Sequence, residues 1–190
     1  REYMNNAIVF IHGFAGGDYE YRPIISFLQS RTERACYAFL YKEKFGQISF
    51  EILADQLHAF IITNIHEPVI DIVALSQGGI IARQYIGRYH DRKIRRCITL
   101  CTPHKGSLLA YLGFFRGIKE LRPSSPLLHA FDCKNAEYFA VYNPLDLMVF
   151  PGWFAKLDCA KENKRIIAPL HQLTFWRKQT LNYILRVLTS

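Results

Sequence analysis

Apolar residues fall along this chain in two kinds of run, short continuous ones and longer spaced ones. Residues 7–11 (AIVFI), 36–41 (CYAFLY), 69–75 (VIDIVAL), 94–101 (IRRCITLC), 137–142 (EYFAVY) and 164–168 (KRIIA) are of the first kind. They predict six strands, the most continuous of them buried on both faces. Residues 21–30 (YRPIISFLQS) have helical spacing, with Pro23 near the start, where a missing N–H is tolerated. Residues 48–65 set Ile48, Ile52, Leu53, Leu57, Phe60, Ile61 and Ile65 on one side of a long amphipathic helix. A further helix begins near Ile80, and residues 174–188 close the chain as another, with Leu181, Ile184, Leu185 and Leu188 inward. Strands alternating with helices of these lengths predict an α/β fold of about six parallel strands with helices on both faces. Residues 102–132 break the alternation. The length of 190 residues suits a single domain over 1–190, with a short cap insertion at about 105–132.

Ser76 stands at the sharpest junction, where the run 69–75 meets Gln77, Gly78, Gly79 and a helix. A strand turning into a helix at one serine exposes the Oγ in a strained conformation. Ala74 and Gly78, two residues to either side, are small enough for such a turn. The plain alternative is a serine that caps the helix. A serine nucleophile needs a base, and the base an orienting acid. Of seven histidines, His58, His66 and His90 fall on or at the ends of helices, and His12 braces the first turn. His171 follows the last strand and Asp146 the fifth, so both leave the carboxyl edge of the sheet, where parallel sheets gather their chemistry. Ser76, Asp146 and His171 are the expected catalytic residues, with Asp132 and Asp158 as reserve acids. A turn carboxylate and a surface-loop histidine are the plain readings of Asp146 and His171. The backbone N–H groups of Phe14 and Gln77 are the expected oxyanion hole. The glycine-rich turn around Phe14 lacks the Lys and Ser/Thr of a phosphate-binding loop.

The motifs IVFIHGFAGG, IVALSQGGIIAR, ITLCTPHKGS and YNPLDLMV, with the late His171, span almost the whole chain. Together they resemble the α/β-hydrolase superfamily, and within it the small bacterial triacylglycerol lipases and esterases. The resemblance implies a minimal α/β-hydrolase fold that begins at the third strand of the full sheet. It implies a serine hydrolase that cleaves carboxylic esters through an acyl-enzyme intermediate on a Ser-His-Asp triad, with no cofactor. His104 and Ser107, in the segment similar to a TPH-x-GS motif, would be structural. Leu75 stands where His is common in such proteins, and Ala74 where Gly is usual. Thioesterases, amidases and acyltransferases use the same triad and stay open, as does a non-catalytic lipid- or membrane-binding module.

The cap stretch changes the picture of the substrate. Leu108, Leu109, Tyr111, Leu112, Phe114 and Phe115 make it strongly apolar, which suits an acyl chain or a lipid interface. Leu108, Leu112, Phe115 and Trp153 are the expected substrate contacts. The net charge of +8 suits an anionic partner such as a membrane surface, touched peripherally. The basic cluster of Arg88, Arg92, Lys93, Arg95 and Arg96 lacks the aromatic interleaving of a nucleic-acid site, so no nucleic acid is expected. Neither an H-E-x-x-H motif nor a Cys/His ligand spacing calls for a metal. The five cysteines show no paired spacing and favour a reduced compartment, cytoplasmic or peripheral to a membrane. The chain opens at Arg1 rather than Met, which leaves an upstream signal or anchor open.

Overall fold

A computed structural model describes residues 6–42, 46–130 and 133–190. Six strands, β1 (Asn6–Ile11), β2 (Cys36–Phe39), β3 (Val69–Leu75), β4 (Ile94–Leu100), β5 (Glu137–Tyr142) and β6 (Glu162–Arg165), make one parallel sheet in the order β2-β1-β3-β4-β5-β6. The helices are α1 (Asp18–Gln29), α2 (Phe50–Asn64), α3 (Gly78–Tyr89), α4 (Arg116–Glu120), α5 (Pro126–His129), α6 (His171–Trp176) and α7 (Lys178–Thr189). Short 3-10 turns occupy Leu108–Leu112 and Gly152–Ala155.

Successive strand side chains point to opposite faces, so a run apolar at every position needs cover on both sides. Val9, Ile11, Ile72 and Ala74 pack in one core with Leu53, Leu57 and Ile61 of α2 and Ile81 and Tyr85 of α3. Ile8, Phe10, Val73 and Leu75 face the other core, with Tyr21, Ile24 and Leu28 of α1 and Ile184 and Leu188 of α7. Each fully buried side chain of this size contributes about 1.5–3 kcal/mol.

Three sequence readings are corrected. The last strand is Glu162–Arg165 rather than 164–168, because Glu162 and Arg165 pair with Phe139 and Tyr142 before the chain turns away. This edge strand is polar, so its apolar flank Ile166 drew the reading downstream. The closing helix divides into α6 and α7 at Arg177, whose ψ of 137° is extended. Cysteines without a paired spacing nonetheless include a pair, since Cys133 and Cys159 form a disulfide across 26 residues. That bridge joins the segment before β5 to the segment before β6, and only the folded chain brings the two together.

Candidate active site

The strand order reverses between β1 and β3, which lead outward to β2 and β4 respectively. Ile11 lies beside Ala74, so the turn after β1 and the turn after β3 leave the sheet next to each other. That crevice is where open α/β sheets bind ligands. Ser76 occupies it with φ of +50°, a left-handed conformation that strains any residue with a β-carbon. The elbow is held from β4: Ser76 N–H donates to Leu100 O at 2.8 Å, and Thr102 Oγ1 donates to Ser76 O at 2.7 Å. Gly13 presses against it, since a β-carbon there would stand 3.0 Å from Ser76 Cβ.

Asp146 and His171 meet at the ends of β5 and β6. His171 Nδ1 and Asp146 Oδ2 are 2.6 Å apart, and a carboxylate accepts only from a protonated ring nitrogen. In the neutral ring Nε2 is then the acceptor, and among the described residues it is buried without a hydrogen-bond partner. Asp146 Oδ1 accepts the N–H groups of Met148 at 2.9 Å and Val149 at 3.1 Å. Asn143 ties the two loops together, donating from Nδ2 to Ala168 O at 2.8 Å and to Thr174 Oγ1 at 3.2 Å. Cys101, with φ of +49°, follows β4 and so stands between Ser76 and this pair. Ser76 and His171 do not hydrogen bond to each other here. Such contacts are often long in a free enzyme and tighten when substrate arrives.

A cavity of about 160 Å³ opens at Ser76 and is lined by Phe14, Gln77, Pro103, Ser107, Leu109, Ala110, Ile118, Leu121, Met148 and Val149. Larger hollows of about 610 Å³ and 550 Å³, around Arg34 and beside the disulfide, contain no nucleophile joined to a base. The Phe14 N–H has no intramolecular acceptor among the described residues. Of the expected substrate contacts, Leu108, Leu112, Phe115 and Trp153 are outside the cavity lining and stand 45–76% exposed. The 3-10 turn presents Leu109 and Ala110 to the cavity instead.

The turn after β1 is braced more heavily than its sequence suggests. His12 stacks on Tyr41 with ring centroids 4.0 Å apart, and Tyr41 Oη donates to His12 O at 2.9 Å. Gln77 Nε2 in turn donates to Tyr41 Oη at 3.2 Å. Burial lowers the His12 pKa. Glu20, in the first turn of α1, is 2% exposed and accepts the Gly13 N–H at 2.7 Å. Acidic residues at helix starts are ordinary, so nothing in the sequence marked Glu20. His104 accepts from Arg83 Nη1 at 3.2 Å through Nδ1 and meets Thr99 Oγ1 at 2.9 Å through Nε2. Burial first, and the Arg83 charge second, hold its pKa well below the usual value. Ser107 donates to Met148 O at 3.0 Å and accepts from Phe150 N–H at 3.1 Å, clipping the cap to the loop that bears Asp146.

Among the described residues, Cys101, Asp146 and His171 are the group whose ligand atoms lie within 4.8 Å of one another. The fit to a metal is poor. Both carboxylate oxygens are already engaged by Met148, Val149 and His171, and a cation would have to displace them. Of the reserve acids, Asp158 pairs with Lys105 at 2.7 Å on the surface, and Asp132 lies outside the described residues.

The whole architecture is similar to known lipases. Bacillus licheniformis lipase BlEst2 in mature form superposes with a TM-score of 0.77 at 16% identity, over 96% of this chain and 91% of that one. Paleococcus ferrophilus monoacylglycerol lipase gives 0.68 at 17% identity, over 95% and 93%. Aspergillus fumigatus lipase B gives 0.79 at 12% identity, with 97% of this chain spanning 52% of that larger one. This is a minimal α/β-hydrolase fold. Comparison with curated protein sequences yields no match. A sequence model described as palmitoyl protein thioesterase matches residues 7–111, more than half of the 190. With the elbow, the turn after β1 and the start of the cap all inside that match, the chain belongs to the palmitoyl protein thioesterase family of α/β-hydrolases.

Proposed function

We propose that this hydrolase cleaves carboxylic esters through an acyl-enzyme intermediate carried by Ser76. The observation that carries the reading is the His171–Asp146 pair at 2.6 Å, which leaves a buried, unpartnered Nε2 at the same end of the sheet as a strained serine. His171 Nε2 takes the Ser76 proton as Oγ attacks the ester carbonyl, and Asp146 stabilises the imidazolium that forms. The N–H groups of Phe14 and Gln77 stabilise the negative charge that develops on the carbonyl oxygen. His171 then protonates the leaving alcohol, activates water and restores the serine as the acid departs.

A thioester is the second reading, and the family match favours it, because the same steps expel a thiol as readily as an alcohol. An acyl group suits the site under either reading. Leu109, Leu112, Phe114, Leu147, Met148 and Trp153 are all exposed at the end of the sheet that bears Ser76. Contact of that end with a lipid surface would present acyl substrates to the cavity.

A fluorophosphonate probe should label the folded protein at neutral pH and fail to label Ser76→Ala. That variant should also lose about 10³-fold or more of ester turnover. Equal hydrolysis by the two proteins would remove Ser76 from the mechanism. Comparing kcat/KM for an ester and a thioester of the same acyl group decides between the two leaving groups.

A further inference from the structure

The two N–H groups expected to face an oxyanion come from separate turns, Phe14 from the one after β1 and Gln77 from the one after β3. Their placement relative to each other depends on what joins the turns. Tyr41, two residues past the end of β2, does so. It is 6% exposed, and its ring stacks on His12 with an interplanar angle of 5°. Its single hydroxyl proton goes to His12 O at 2.9 Å, and the oxygen accepts from Gln77 Nε2 at 3.2 Å. One buried phenol oxygen thus touches the backbone of the first turn and the side chain of the second.

The backbone of Tyr41 adds to the hold. His12 Nδ1 is 2.8 Å from Gly13 O, and a carbonyl accepts only from a protonated nitrogen. In the neutral ring Nε2 then accepts the Tyr41 N–H at 3.4 Å. Gly13 O and the Phe14 N–H belong to one planar trans peptide unit and point in opposite directions. Anchoring Gly13 O through His12, with the Gly16 N–H donating to it at 3.1 Å, therefore sets where the Phe14 N–H points. Resting on the acyl-hydrolase reading above, we propose that Tyr41 is a positioning residue whose hydroxyl fixes the two oxyanion donors relative to each other. It does not line the cavity at Ser76 and acts only through His12 and Gln77. Loss of the bridge lets either donor drift, and what such drift removes is stabilisation realised only in the transition state.

The test compares the wild type, Tyr41→Phe, Gln77→Met and the double variant, with thermal unfolding as a check on folding. Two readings are taken: steady-state hydrolysis of a p-nitrophenyl ester, and inhibition by a trifluoromethyl ketone with the same acyl chain. Ser76 Oγ adds to the ketone carbon, its proton passes to His171, and the carbonyl oxygen becomes an alkoxide. The inhibition constant Ki therefore reads the oxyanion donors without turnover. Tyr41→Phe keeps the stacked ring and removes the bridge. Its kcat should fall about 10–100-fold with KM nearly unchanged, and its Ki should rise by the same factor. A merely structural role would reduce the fraction of active enzyme and leave Ki where it was. Because both contacts belong to one bridge, the double variant should lose no more than about twice as much as the more impaired single variant. Losses that multiply overturn the proposal, as do kcat and Ki within about twofold of the wild type in folded Tyr41→Phe. If that variant does not fold, Gln77→Met, which keeps Tyr41 Oη on His12 O, gives the same two readings. Absence of Ser76-dependent hydrolysis in the wild type instead brings down the acyl-hydrolase reading itself, and this inference with it.

Discussion

Glu20 braces the turn after β1 without lining the cavity at Ser76. Its buried carboxylate holds the Gly13 N–H at 2.7 Å, directly before the residue whose own N–H is expected to face the oxyanion. Glu20→Ala would leave that N–H unsatisfied in a dry environment, at a cost of about 1–3 kcal/mol in stability. Because the oxyanion exists only in the transition state, kcat should drop about 10–100-fold with KM nearly unchanged. A raised KM with kcat intact, in steady-state ester kinetics, would contradict this placement. His104 gives a pH prediction. Its pKa is lowered in the fold from an ordinary 6.5, so the unfolded chain binds the extra proton first. The stability this confers is complete above about pH 6.5 and declines as pH falls toward the lowered value. Melting temperature should therefore hold between about pH 7 and 8 and decrease toward about pH 5, and His104→Gln should flatten the decrease. Ser76 and Asp146 were legible as candidates because each follows an apolar strand, and His171 because it follows the apolar Ile166 and Ile167. Glu20 and Asn143 were not, since what distinguishes them is burial, which local spacing does not encode.

The five strands with largely apolar runs, β1 to β5, were readable from their own residues, and β6 was not. An edge strand of Glu162, Asn163, Lys164 and Arg165 carries the composition of a loop, and pairing with β5 makes it a strand. The cap shows the same dependence. Its apolar residues were evident, but which of them face the cavity follows from a 3-10 turn whose three-residue period no longer pattern announces. Cys133 and Cys159 join elements rather than neighbours, so their spacing carried no signal. Closing a loop of this size restricts the unfolded chain and stabilises the fold by about 3 kcal/mol. Cys133→Ser, or reduction of the wild type, should lower the melting temperature by roughly 6–12 °C for a domain of this size. Calorimetry with and without reductant checks it, and identical curves would mean that the bridge contributes nothing. Disulfides persist in oxidising surroundings, which pulls against the reduced compartment expected from the cysteine count.

Across the molecule, exposed apolar side chains gather on the loops that leave the carboxyl ends of the strands. Phe114 at 83%, Leu112 at 76% and Leu147 at 70% exposure are the most prominent. If this end meets a lipid surface, the double change Phe114→Ser with Leu147→Ser should weaken sedimentation with phosphatidylcholine–phosphatidylserine vesicles by at least about tenfold. Ser76→Ala should sediment as the wild type does. Undiminished vesicle binding by the double variant would exclude this rim as the contact. No helix among the described residues is long and apolar enough to cross a membrane.

The side-by-side pairing of Ile11 with Ala74 reaches further than the two turns it aligns. Whether the Phe14 donor and the Ser76 hydroxyl share one crevice depends on how many residues each strand contains. One codon inserted into β1 or β3 would flip every later side chain of that strand and offset the two turns by about 3.3 Å. Exchanging one apolar side chain for another there leaves the alignment intact. Strand length, more than strand composition, is the quantity such an enzyme has to preserve, and that is compatible with superposition on lipases only 12–17% identical to it.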